Sequence, residues 1–87
     1  MVYLDKSRNR FGRMTMCHMI ADSLDELHAM ADAIGMKREW FQAPPKASFP
    51  HYDVCLSRRA KALELGAVEL EMRPFVEVMR RVRGARQ

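Results

Sequence analysis

The amino-acid sequence predicts a single α/β domain spanning residues 1–87, with a three- to four-stranded sheet covered by about three helices. Three observations carry this. The run Met14 to Ala21 is almost continuously apolar, as a strand buried on both faces is rather than one with a wet side. A capped, periodic helix follows it directly, and a second helical stripe closes the chain. The resulting order, β-β-α-β-α-β-α, implies a small sheet with helices packed on it.

Val2-Tyr3-Leu4 is a short β-type run, and the polar segment Asp5 to Arg13, which contains Gly12, reads as a loop. In an extended Met14–Ala21 strand, His18 shares a face with Met14, Met16 and Ile20, while Thr15, Cys17 and Met19 face the other way. Ser23 and Glu26 have capping-box spacing, Leu24, Leu27, Ala31 and Ile34 recur at helical intervals, and Gly35 stands where a left-handed C-cap is wanted. His28 borders that apolar stripe. Glu39 to Gln42, with Trp40 and Phe41, is expected to form a short third strand. Ala43 to Pro50 cannot continue it, because Pro44, Pro45 and Pro50 lack amide donors. After His51-Tyr52-Asp53, Ser57 is placed to cap a second helix with Ala60 and Leu63 inward, ended by Gly66. Val68 to Met72 alternates apolar and charged residues like a strand with one wet face. Pro74 then opens a third helix with Phe75, Val78, Met79 and Val82 as its stripe.

A chain of 87 residues sustains one core, and 48% apolar with 30% charged residues is a globular balance. Eight methionines fill space without strongly fixing geometry, so a homo-oligomer or stabilisation by a ligand is consistent with the composition. No signal peptide and no run of about 18 apolar residues is present, which points to the cytoplasm and excludes a membrane span. Cys17 and Cys55 lack CxxC spacing and are expected to stay reduced. The net charge of +4 is concentrated in Lys6, Arg8, Arg10 and Arg13, in Arg58, Arg59 and Lys61, and in Arg80, Arg81, Arg83 and Arg86. Such clusters suit phosphates on nucleic acid or on a smaller ligand; the last also suits the negative end of a helix.

Several residues together carry a likeness: Asp5, Gly12-Arg13, His18, Asp22, Glu26-Leu27-His28 with Ala31, Gly35, His51-Tyr52-Asp53-Val54, Arg59 and Gly66-Ala67-Val68. On them the chain resembles, across nearly its whole length, an uncharacterised family of small bacterial and phage proteins, a domain of unknown function. The resemblance implies domain limits and candidate positions, and no activity or cofactor.

The candidate site comprises Arg13, His18, Asp22, His28, His51, Tyr52 and Asp53, with Trp40 and Arg59 as further ligand contacts. A histidine inside an apolar strand needs a hydrogen-bond partner, and each histidine here has a carboxylate nearby in sequence. Arg13 offers a planar fork for phosphate, the amides opening the Ser23 helix can hold an anion, and Tyr52 or Trp40 can stack on a base. The expected function is therefore binding of a small phosphorylated, nucleotide-like ligand, as in sequestering or degrading a nucleotide signal. In the enzymatic alternative, His18 or His51 acts as general base or acid, oriented by Asp22 or Asp53, to cleave a phosphoester. Another is a basic protein associated with nucleic acid, although zinc-finger and RNP patterns are missing. No cofactor is expected. Zinc would draw on His18, His28 and His51 with Asp5, Asp22 or Asp53, but HExxH, HxH and CxxC spacings are lacking; copper(I) at Met16–Met19 is better read as packing.

Overall fold

A computed structural model describes residues 1–83. Its strands are β1 (Val2–Leu4), β2 (Asn9–Phe11), β3 (Met14–Ala21), β4 (Tyr52–Cys55) and β5 (Val68–Glu69), and its helices α1 (Leu24–Ala33), α2 (Leu56–Glu64) and α3 (Met72–Arg83). β3 is the organising strand. Met19 pairs with both Leu4 and Tyr52, and Met16 with both Asn9 and Cys55. A residue paired twice uses both edges of its strand, so β1 and β2 lie end to end along one edge of β3 and β4 lies antiparallel along the other. β5 adds to β1 in parallel, with Tyr3 opposite Val68.

Strand alternation then sorts side chains onto two faces. Leu4, Cys17, Met19, Ala21, Tyr52 and Val54 form one core with Leu27, Ala31 and Ile34 of the α1 segment and Ala62 of α2. Ile20 packs on the opposite face against Phe75, Val78 and Val82 of α3, joined by Tyr3, Phe49 and Leu70. Side chains such as Leu4, Met19 and Leu27 are essentially fully buried, each contributing about 1.5–3 kcal/mol of transfer free energy. α1 begins as its sequence requires: the Ser23 hydroxyl accepts the Glu26 amide and donates to the Glu26 carboxylate.

The sheet has five strands because two formed outside the apolar pattern. β2 is exposed along its whole length and forms because Gly12, at φ +62°, and Arg13 make a two-residue turn that folds Phe11 back onto Met14. β4 grows out of His51-Tyr52-Asp53. The strand expected at Glu39–Gln42 is instead a 3-10 helix, Arg38–Trp40, with Trp40 and Phe41 amides bonded to the carbonyls of Lys37 and Arg38. Only Gln42 bridges to His51, since the prolines after it have no donors to extend a ladder. α2 starts at Leu56 with Cys55, not Ser57, at its N-cap. Its inward residues are Arg59 and Ala62; Ala60 and Leu63 face outward. β5 stops at Glu69 because helix α3 already begins at Met72, which puts Pro74 in its first turn. Burial on both faces of β3 holds from Met19 to Ala21, whereas His18 is half-buried and Met14, near the hairpin turn, is 43% exposed. Arg86 lies outside the described residues.

Candidate functional site

Asp5 interrupts the line of strand between β1 and β2 along one side of β3, and the interruption builds the site. Its amide still donates to the His18 carbonyl at 3.2 Å. Its side chain turns back so that Oδ1 accepts the His18 amide at 2.9 Å, where a ladder carbonyl would be expected, and Oδ2 meets His18 Nδ1 at 2.7 Å. Ser7, two residues on, donates its hydroxyl to Oδ1 at 2.8 Å. The Asp5 carbonyl is taken by Arg59, whose guanidinium also pairs with Glu69. One residue thus clamps His18 by backbone and ring.

His18 and Asp53 are opposite one another across the β3–β4 ladder, and His51 lies two residues before Asp53, on the same face. The His51 ring is almost fully buried, stacked on Phe49 at 4.4 Å, with Nδ1 2.9 Å from the Phe49 carbonyl. A carbonyl only accepts, so in the neutral tautomer Nδ1 carries the His51 proton and Nε2 has the lone pair. The Asp5 carboxylate fixes the same tautomer in neutral His18. Both free nitrogens face Asp53 Oδ1, His51 Nε2 at 3.5 Å and His18 Nε2 at 3.8 Å, while the other Asp53 oxygen accepts the Gln42 amide at 2.7 Å. The three potential ligand atoms of His18, His51 and Asp53 lie within 4.8 Å of one another.

The charges respond to this arrangement. The hydrogen bond to Asp5 is the main reason that the His18 pKa rises above 6.5; burial opposes it, and the charges of Asp5 and Asp53 add to the rise. Burial of Asp5 favours its neutral form, but the bonds from His18 and Ser7 together outweigh it and hold the carboxyl below 3.8.

The remaining predicted positions do not converge here. His28 packs on the other face of the sheet, with Nδ1 2.8 Å from the hydroxyl of Tyr52; burial is the main cause of its lowered pKa. Tyr52 is completely buried, so its ring cannot stack on a ligand. Arg13 occupies the hairpin turn, five residues from His18, which is about 16 Å of strand rise. Asp22 accepts from the Tyr3 hydroxyl at 3.0 Å and pairs with Arg81 and the N-terminal amine. Trp40 has the cations of Lys37 and Arg58 over its ring at 5.7 and 5.5 Å. Arg59 is buried behind Asp5. Sequence reasoning missed Ser7, Gln42 and Phe49, and weighed Asp5 only as a metal ligand; the Asp5-x-Ser7 turn pattern was the available signal for the first of these.

A family model described as a protein of unknown function (DUF4031) matches residues 2–82. The chain belongs to the DUF4031 family. No curated protein and no solved structure matches it. Among the described residues of this DUF4031 domain, no helix is long and apolar enough to cross a membrane, and Cys17 and Cys55 are both free thiols. None of the described ion pairs or hydrogen bonds joins a lysine or arginine side chain to His18, His51 or Asp53.

Proposed function

We propose that this domain hydrolyses a phosphoester in a small, nucleotide-like ligand, with His18, His51 and Asp53 as the reacting centre. The observation that carries the reading is the pair of imidazoles, each anchored through Nδ1, whose Nε2 atoms turn toward one carboxylate oxygen. A water among three acceptors has a proton directed at one of them; losing it gives the hydroxide that attacks phosphorus, and the departing oxygen takes the proton back. Pre-set geometry on paired strands removes much of the orientational cost of that step.

The flank of the site favours a ligand with an aromatic base. Cross-strand pairing puts Phe11, Met14 and Met16 on the His18 face, beyond the cover of α3, and Phe11 is 69% exposed. This shelf takes the stacking role that buried Tyr52 cannot. A nucleotide signal removed by a protein of bacterial or phage origin would be such a ligand.

The test is release of phosphate or nucleoside from a panel of mono-, di- and cyclic nucleotides, with His51→Ala and Asp53→Asn as controls. Turnover that drops at least about 100-fold in both variants supports the reading. Turnover with no compound, or turnover equal in the variants, overturns it. The second reading, nucleic-acid binding, is favoured by exposed Arg8, Arg10 and Arg13 on the β2–β3 hairpin, and predicts retention on DNA or RNA that falls steeply with salt.

A further inference from the structure

We infer that His18 Nε2, His51 Nε2 and Asp53 Oδ1 are three ligands of one divalent transition-metal ion of the zinc class. The inference deepens the proposed hydrolysis by naming the group that activates its water, and metal binding itself is measured without any substrate.

The first argument is the convergence of acceptors. In their neutral forms, with both Nδ1 protons committed to Asp5 and to the Phe49 carbonyl, the two rings and the carboxylate present three lone pairs to one region and no donor among them. The separations of 3.5 and 3.8 Å are too long for good hydrogen bonds. They are close to the edge of a tetrahedron with metal–ligand bonds of about 2.0–2.1 Å, which is about 3.3 Å. The two imidazole nitrogens lie within 4.8 Å of each other, so an ion would draw the rings together as it binds.

The second argument is the surrounding support. A histidine that ligates metal almost always donates its other ring N–H to a carboxylate or a backbone carbonyl, and here one histidine has each kind of partner. The ligating carboxylate is itself held, because Gln42 occupies the second oxygen of Asp53 and leaves Oδ1 available. Asp5 is fixed in turn by Ser7 and the His18 amide. Each of the three donors is therefore oriented by a partner of its own.

The donor set selects the ion. Two imidazoles and one carboxylate suit zinc, iron(II), cobalt(II) or manganese(II) more than calcium or magnesium, which take oxygen ligands, or copper(I), which takes sulfur. Three protein ligands leave coordination positions for water and a phosphate oxygen, the arrangement of hydrolytic rather than purely structural sites. The ion also supplies the positive charge that a phosphoester needs, where no described lysine or arginine pairs with these side chains.

The test is calorimetric titration of chelator-treated protein with Zn²⁺, and with Co²⁺ followed by its visible absorbance. One equivalent is expected to bind, and to raise the melting temperature of the wild type. Asp53→Asn keeps a similar shape and should weaken affinity at least about 10-fold, as should His18→Gln. Asp5→Asn, which touches no metal, should weaken it about 10- to 100-fold by loosening the His18 ring. Folded wild type that takes up no metal, or affinity unchanged in Asp53→Asn and His18→Gln, overturns the inference. Tight binding with no phosphoester turnover overturns the hydrolysis alone. Turnover that survives chelation overturns the metal alone.

Discussion

Replacing Asp5 with alanine removes four hydrogen bonds at once: two to His18, at 2.9 and 2.7 Å, and two from Ser7, at 2.8 and 3.3 Å. The Ser7 groups can turn to water. The His18 amide lies within the ladder and its ring is partly buried, so each loses a partner at about 1–3 kcal/mol. We expect Asp5→Ala to cost about 2–4 kcal/mol, a large share of the roughly 5–13 kcal/mol typical of a chain this size. In urea, with a slope near 1 kcal/mol/M, the midpoint should fall by about 2–4 M. The pair also leaves a pH signature. His18 is raised above its unfolded value of 6.5, so its contribution is complete below that pH and is lost as pH rises through the folded pKa. Asp5 is depressed below its unfolded 3.8, so its contribution is complete above that pH and is lost as pH falls through the folded pKa. The pair should therefore stabilise most between about pH 4 and 6.5, and Asp5→Asn should flatten the decline above pH 6.5. An Asp5→Ala protein within 0.5 kcal/mol of wild type, or a variant with the same alkaline slope, would refute the clamp.

Three other outcomes are expected. Tyr52→Phe should cost about 1 kcal/mol, seen as a melting temperature lower by about 4–8 °C, and leave metal binding unchanged because Tyr52 and His28 are on the opposite face. A thiol reagent at pH 8 should label Cys55 promptly and Cys17 only as fast as the chain unfolds, since burial pushes the Cys17 thiol up to about 11 while bonds from Ser57 and Arg58 outweigh the effect of burial and hold Cys55 below its usual value. Phe11→Ala should weaken nucleotide binding about 5- to 100-fold with stability within about 0.5 kcal/mol, checked by titration and urea unfolding.

Where hydrophobic period and caps agreed, the sequence was sufficient. β3, α1 and α3 follow from Met14–Ala21, the Ser23/Glu26 box and the Phe75–Val82 stripe. β2 was illegible as a strand because nothing in Asn9-Arg10-Phe11 is buried; its pairing depends on the turn at Gly12. The inward face of α2 was misread because Arg59, a charged residue, points into the protein to reach Glu69 and the Asp5 carbonyl. At the site, a histidine in an apolar strand and the sequence His51-Tyr52-Asp53 stood out. Their meeting did not, because it depends on the β3–β4 register and on Gln42 bridging to His51 across a proline loop. His28 and Tyr52 looked equivalent to these residues in sequence, but strand alternation sends them to the other side.

The double pairing of β3 also has a consequence for how this protein fails. Because the strand carries Cys17 and Met19 into one core, Ile20 into the other and His18 into the site, an opening that unpairs β3 would disrupt both cores and the site together. The His18 amide, bonded to a carboxylate rather than to a neighbouring strand carbonyl, should exchange with solvent only in the global opening. A destabilising change at Phe75 or Leu27 would then reach a cell as lost abundance and a lost site together, even though neither residue is hydrogen-bonded to His18.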